Sequence, residues 1–344
     1  PEFKTAFRYT DQDVLQHAEQ CNGSADCRKT PVSGGTMCPS FMATRNEKET
    51  TRARANILRE FLTKSTQPNR FAHDEIKEVM DLCLACKGCK SECPSNVDVA
   101  KLKMEFLYQY QKEKGLPLRS WLVGNFANIS AITAKIPSLY NVIMGTPWIR
   151  RISNTMVGFH PERTMPLMAK QTLRSWLNQR KSVASVVPSA PSLVLFLDEF
   201  TNYNDVEVGQ KAVLLLEKLG YEVKTINHPI SGRAYLSKGM LDEAKEIANK
   251  NVRLFADIIT SDMPLVGIEP SALLTFRDEY PDLATDNNLS VANNLAKYSF
   301  YIDEFLAKEI ETGHIKKDQF TQDSKSILLH GHCQQKAVGS LADS

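Results

Sequence analysis

Apolar spacing along the chain changes register once, near residue 190. Before it, apolar residues recur at helical intervals. Residues 48–64 carry Ile57, Leu58, Phe61 and Leu62 on one stripe, and residues 74–80 read as a short helix entered through residues 69–73. Residues 97–112 keep Leu102, Phe106, Leu107 and Tyr110 in step, with Ser95 or Asn96 as the cap and Gly115-Leu116-Pro117 as the stop. Helical pieces follow at 121–134, 139–144 and 149–156, punctuated by Pro137, Pro147, Pro161 and Pro166. The stretch 182–192 is rich in small residues and proline and reads as a linker. Beyond it, strands and helices alternate. A strand at 193–197, a helix at 206–219 ending at Gly220 and a strand at 221–226 make a βαβ unit, which implies parallel strands. A helix at 240–259, a strand at 265–268, a helix beginning at 271–280, a helix at 300–311 and a strand at 326–330 complete the pattern. The last strand empties into Gly331, His332 and Cys333.

Composition changes this picture only at the cysteines. The 344 residues suit two or three domains, with 42% apolar and 24% charged residues. A formal net charge of +2 argues against a dedicated nucleic-acid binder. No apolar run approaches the roughly 18–20 residues of a membrane span, and no signal-peptide core is present. Seven of eight cysteines fall between residues 21 and 93 on metal-type spacing, which points to a reducing, cytoplasmic setting. A start at Pro1 without methionine, and an end at Ser344 just past a cysteine motif that looks incomplete, suggest a piece of a longer protein.

The strongest chemical signal is residues 81–94, DLCLACKGCKSECP. Cys83, Cys86, Cys89 and Cys93, closed by Pro94, follow the C-x2-C-x2-C-x3-C-P spacing of bacterial ferredoxins. Three cysteines at three-residue intervals wrap the backbone around a cubane, Gly88 permits the tight path and Pro94 turns the chain away. Zinc prefers two separated ligand pairs, and a disulfide framework needs an oxidising compartment. Upstream, Cys21 and Cys27 stand six apart with Ser24 where a middle cysteine would complete the triplet, and Cys38 precedes Pro39. The ligand crossover of two-cluster ferredoxins would join Cys38 to Cys83, Cys86 and Cys89, and Cys93 to Cys21 and Cys27. Seven cysteines are one short of two four-cysteine sites. The second cluster is then either [3Fe–4S], as in the succinate dehydrogenase iron–sulfur subunit, or [4Fe–4S] completed by Ser24, Asp26, hydroxide or an outside ligand. The lesser alternative is that Cys21 and Cys27 are ordinary buried thiols. Arg45, Arg52, Arg54 and Arg59, on or near the other faces of the 48–64 helix, either form a solvated surface or offset cluster charge. In the helical middle segment a connector packed on the cluster domain competes with a mildly basic, amphipathic face for a membrane or partner. In HGHC, His330, His332 and Cys333 are candidates for metal or redox chemistry at a strand's end, against a core cysteine.

These motifs, together with CNGSADCRKT, GGTMCPSFMATR and FHPERTMPLMAKQTLRSW, resemble the C-terminal half of FAD-linked oxidase/iron–sulfur fusion proteins. These are flavoprotein dehydrogenases of D-2-hydroxy acids, related to the D-lactate and glycolate oxidation systems. Residues 193–344 resemble the cysteine-rich CCG domain shared by heterodisulfide reductase and one of the subunits of glycerol-3-phosphate dehydrogenase. The resemblance implies an α-helical two-cluster ferredoxin-like domain at 1–112, a helical connector at 113–185 and an α/β CCG-type domain with parallel strands at 186–344, its second repeat truncated. It also implies FAD on an upstream domain and electron flow through the clusters to a quinone or an electron carrier, in the cytoplasm or peripherally on the inner membrane face. In the first CCG copy, Glu199, Ile230-Ser231-Gly232 and Ala272 replace the expected thiols, so no metal is expected there. Cys333, with His332 beside it, would open the second. The competing functions are a non-catalytic iron–sulfur subunit that docks an oxidoreductase, and a zinc-stabilised binding module.

Overall fold

A computed structural model describes residues 3–180, 190–321 and 323–344. The sheet has four parallel strands: β1 (Ser192–Phe196), β2 (Glu222–Lys224), β3 (Leu265–Gly267) and β4 (Ser299–Tyr301). Their spatial order is β2-β1-β3-β4. Val194 pairs with both Lys224 and Leu265, and Val266 with Phe300. The chain leaves β1 in one direction and, after β2, crosses to its other side. The carboxyl ends of β1 and β3 therefore flank the point where strand order reverses, the usual ligand crevice of open parallel sheets.

Both faces of the sheet are covered, as a parallel sheet requires. Leu193, Leu195 and Val266 pack with Val213, Leu216 and Phe305 on one side. Val194, Phe196 and Leu265 pack with Val252, Phe255 and Phe276 on the other. That second core also takes in Phe7, Ala100 and Met104 from the N-terminal part. A separate helical core gathers Val14, Leu58, Leu62, Ile76, Met80 and Phe106. The N-terminal part is thus built partly on its own core and partly on the sheet's, and Arg8 N–H donates to the Asp282 carbonyl across the join at 2.8 Å.

Several boundaries depart from the sequence pattern. Residues 326–330 form no strand: Leu328 is 98% exposed and Ile327 is exposed as well. The fourth strand is instead the three-residue Ser299–Tyr301, where the pattern read the start of a helix; that helix begins at Ile302. An apolar run becomes a strand only where a sheet edge accepts its backbone, and β3 meets residues 299–301. His332 and Cys333 consequently do not end a strand. His332 caps a short helix, Cys333–Val338, accepting from Gln334 N–H. The helix Val99–Lys114 starts two residues later than expected, because Asp98 accepts from Lys101 N–H as its cap while Asn96 adopts φ 53. Residues 271–280 divide into Pro270–Leu273, the 3-10 turn Leu274–Phe276 and the start of Glu279–Leu283. Most of the 182–192 linker lies outside the described residues.

The middle helices Leu118–Gly124, Phe126–Thr133, Pro137–Gly145 and Pro147–Val157 meet the α/β part through their first two members. Asn128 Nδ2 donates to Tyr235 Oη at 3.0 Å, and Phe126 stacks on Phe200 at 5.5 Å. No helix among the described residues is long and apolar enough to cross a membrane.

Candidate iron–sulfur site and adjoining cavity

The seven N-terminal cysteines line two neighbouring cavities. Cys38, Cys83, Cys86 and Cys89 surround the first, and Cys21, Cys27 and Cys93 the second, with Ser24 and Asp26 on its wall. Met37 and Thr51 line both, so the cavities adjoin. All eight cysteines are free thiols. They stand around space rather than on a point: among the described residues no three His, Cys, Asp or Glu side chains are grouped to hold one metal ion.

The two cavities are built alike. Each has a non-glycine residue in the left-handed region two positions before a cysteine: Ala25 (φ 65) before Cys27 and Lys87 (φ 60) before Cys89. Each of those cysteines then sits in a short helical turn, Asp26–Arg28 or Gly88–Glu92. Ala85 adds a third such residue (φ 50) beside Cys86. Strained backbone of this kind persists where surrounding structure fixes it, and it gathers at ligand sites. Gly88 is not one of the left-handed positions. Its role is close approach, because a Cβ there would come within 3.2 Å of Thr36 and 3.3 Å of the Met37 nitrogen.

Glu92, inside the four-cysteine run, ties the upstream segment to it. Its carboxylate accepts from Thr36 N–H at 2.5 Å, Met37 N–H at 3.1 Å and Lys29 Nζ at 2.9 Å. Partial burial acts to raise its pKa, but these donors hold it below the usual range. Cys38 is thereby delivered beside Cys83. Burial, the largest influence, pushes the Cys86 thiol up to about 11 and raises Cys27 and Cys89 as well. The amides of Gly88, Arg52 and Val99 act the other way on Cys86, Cys27 and Cys89. Buried neutral thiols with amides aimed at sulfur suit a group that replaces the protons with metal. The all-thiol donor set suits iron–sulfur ligation.

Arg54 is buried, at 1% exposed, and belongs to this site rather than to a solvated helix face. It donates to Cys38 Sγ at 3.4 Å, to the Glu49 carboxylate and carbonyl at 2.8 Å and to the Val79 carbonyl at 3.0 Å. Arg52 lines the second cavity and pairs with Glu47. Lys87, between Cys86 and Cys89, is buried among charges that sequence reading did not bring together. It pairs with Asp278 and lies 3.0 Å from Glu279 and 3.9 Å from Asp98. Arg233 also reaches Glu279, at 2.5 Å, and Lys90 pairs with Asp278. Burial opposes charge on Lys87, yet the three carboxylates raise its pKa. The one signal available beforehand was a lysine inside the cysteine loop.

The C-terminal candidates lie on the far side of the same loop. Gln334 Nε2 donates to the Ala85 carbonyl at 3.1 Å, and Cys333 is close enough to bear electrostatically on Cys86. His332 Nε2 is 3.8 Å from the Glu269 carboxylate. Glu199 and Ser231, at two positions where the resemblance would put thiols, are bonded to each other: Ser231 N–H and Oγ–H donate to the buried Glu199 carboxylate at 3.0 and 2.7 Å. Between this region, the Cys86 loop and the middle helices lies a cavity of about 620 Å³ whose lining includes Cys86, Cys333, Phe126, Phe159 and Phe200.

Residues 20–98 match the family described as a 4Fe-4S dicluster domain. Across 362 aligned positions, covering 92% of this chain and 34% of the relative, the chain is 26% identical to a D-2-hydroxyglutarate dehydrogenase of Escherichia coli (strain K12). It is 27% identical to the Pantoea ananatis protein of that name (78% of this chain, 30% of the relative) and 26% identical to that of Pseudomonas putida (79% and 31%). The chain spans about a third of the length of these curated relatives. No solved structure gives a significant match. The chain is therefore similar to an iron–sulfur part of D-2-hydroxy-acid dehydrogenases and carries a dicluster domain of the [4Fe–4S] type.

Proposed function

We propose that this iron–sulfur part relays electrons within a flavin-dependent D-2-hydroxy-acid dehydrogenase. Cys38, Cys83, Cys86 and Cys89 hold one [4Fe–4S] cluster. Cys21, Cys27 and Cys93 hold a second, with Ser24 or a non-protein ligand completing it. The observation that carries this reading is the division of the thiols: each cavity takes one cysteine from the other's motif. When bound, clusters of this kind supply one-electron carriers. The chain's own contribution is to bury Cys27, Cys38 and Cys89, to aim Arg54 at Cys38 Sγ and to place Met37 and Thr51 between the two sites. Partial coverage of relatives named as dehydrogenases favours a part of such an enzyme over a separate docking subunit. The substrate is a D-2-hydroxy acid, with 2-hydroxyglutarate suggested by the relatives' name, and its oxidation falls to a FAD domain outside this chain. The residues 186–344 act as a CCG-type scaffold whose first copy has exchanged thiols for the Glu199–Ser231 pair. The middle helices make peripheral contact with a membrane.

Cysteine replacement tests the division directly. Anaerobically prepared Cys93→Ala is expected to lose the iron and the EPR signal of the Cys21/Cys27 cluster while keeping the other; Cys38→Ala reverses the pattern. Loss confined to each motif's own cluster would sink the exchange, and three irons at Cys21/Cys27 would replace the second cubane by [3Fe–4S].

A further inference from the structure

A lysine stem is long enough to carry its ammonium to water, yet Lys87, between Cys86 and Cys89, is only 2% exposed. Its ammonium pairs with Asp278 and lies 3.0 Å from Glu279 and 3.9 Å from Asp98. Lys90 shares Asp278, and Arg233 shares Glu279. Three cations thus face three carboxylates. A buried ionic group of this kind adds little stability over an apolar core of the same volume, and its best-attested use is to fix register.

The backbone around Lys87 shows what is being registered. Lys87 adopts φ 60 and ψ 5 as it caps the helix Gly88–Glu92. A residue with a side chain holds that left-handed conformation only where its surroundings impose it. The turn aims the Gly88 amide at the Cys86 sulfur. Asp98, on the other side of the ammonium, caps the helix Val99–Lys114 by accepting from Lys101 N–H at 3.0 Å. The amide that follows it, Val99 N–H, is aimed at the Cys89 sulfur. Lys87 and Val99 both line the first cluster cavity. One ammonium therefore joins the turn that serves Cys86, the helix start that serves Cys89 and, through Asp278 and Glu279, the α/β part of the chain. Donors to the sulfurs are the outer contacts that help hold a cluster and set its potential.

We propose that Lys87 is a positioning residue of the first cluster site. Its ammonium registers the Gly88 and Val99 amides on Cys86 and Cys89 against the carboxylates of Asp278 and Glu279, so the α/β part completes the site without supplying a ligand. The assignment rests on the division of thiols proposed above and adds a component from outside the cysteine motifs.

The test uses the full-length protein, loaded anaerobically, with the two clusters told apart by the EPR signals that Cys38→Ala and Cys93→Ala each remove. Lys87→Met removes the cation, and Asp278→Asn removes an anion while keeping its shape. A bare charge effect would move the potential of the first cluster in opposite directions, down for Lys87→Met and up for Asp278→Asn. Positioning predicts a fall in both, because both loosen amides that favour the more negative reduced form. Both variants should also release iron from the first cluster to a chelator at least about tenfold faster, the scale on which outer contacts act at metal sites. The second cluster should keep its potential and its iron. If Lys87→Met does not fold, the sign of the Asp278→Asn shift decides alone. Opposite signs, no shift at the first cluster, or equal disturbance of both clusters overturns the assignment. A parent protein that binds no clusters rejects the relay and the assignment with it. Clusters in the parent, with the first indifferent to both variants, reject only the role of Lys87.

Discussion

Arg54 and Asp198 are buried charges with opposite fates. Arg54 directs its donors to Cys38 Sγ, the Glu49 carboxylate and two carbonyls, so its charge is fully answered. Arg54→Met leaves Glu49 buried without its partner, an imbalance that costs about 3–5 kcal/mol. It also removes a donor from Cys38 Sγ, a ligand of the first cluster in the proposed division. The urea midpoint should fall and the potential of the nearer cluster should drop, since donors to sulfur favour the more negative reduced form; a potential unchanged in redox titration would reduce Arg54 to a packing residue. Asp198 is the reverse case. Burial, with Glu199 and Glu269 nearby, raises its carboxyl to about 7, and one of its oxygens has no partner. The folded protein therefore holds a proton that the unfolded chain releases near pH 4. Stability falls as pH rises from about 4 to about 7, by about 4 kcal/mol at most. Asp198→Asn keeps the cap oxygen that accepts from Phe200 and Thr201 N–H. It should flatten that slope in unfolding curves taken across the range and leave the variant more stable at pH 8. Neither residue's state was readable from spacing: Arg54 needed Cys38, sixteen positions away, and Asp198 needed its burial, with Glu269 brought up beside its neighbour Glu199.

At the scale of elements, legibility followed length. The helix Thr51–Lys64 and the βαβ unit around β1 announce themselves through repeated apolar spacing, because many residues report the same face. Ser299–Tyr301 has three residues and no period to display, and its strand character comes wholly from the edge of β3. Residues 326–330 are more apolar but lie where no edge receives them. The middle helices were legible as helices, and their spacing left a packed connector and an amphipathic outer face side by side without choosing between them. Trp148 is 66% exposed and Met156 78%, which is more apolar exposure than a solvated connector needs. Trp148→Glu with Met156→Glu is expected to cut co-flotation with anionic lipid vesicles several-fold without changing far-UV circular dichroism. Equal flotation of variant and parent would free this face from any lipid role.

The whole molecule is held together across the cysteine loop. Phe7, Ala100 and Met104 enter the core of the sheet, and Lys87 meets Asp278 and Glu279. The resemblance implied a cluster domain at 1–112, and the loop's lysine finds two of its three counter-charges in the α/β part. Asp278 records the join. Burial works to raise its carboxyl, and Lys87 and Lys90 overcome that to hold it well below the usual range, so this contribution is present above about pH 4 and is lost as pH falls through the depressed value.

Lys87 and Asp278 are 191 positions apart, and that separation has a meaning in time. A ribosome adding about 5–20 residues per second takes roughly 10–40 s to travel between them. For almost all of that interval the cysteines at 83, 86 and 89 have been made, while Asp278 and Glu279, two of the three carboxylates around Lys87, do not yet exist. For the proposed ligands Cys83, Cys86 and Cys89, the order of synthesis predicts a window for iron delivery that closes when the sheet docks. Nascent chains stalled before residue 278 are accordingly expected to take up iron and sulfide faster than the released, cluster-free protein, a difference that radio-iron incorporation would measure. Equal rates would mean that the docked sheet is no barrier to loading.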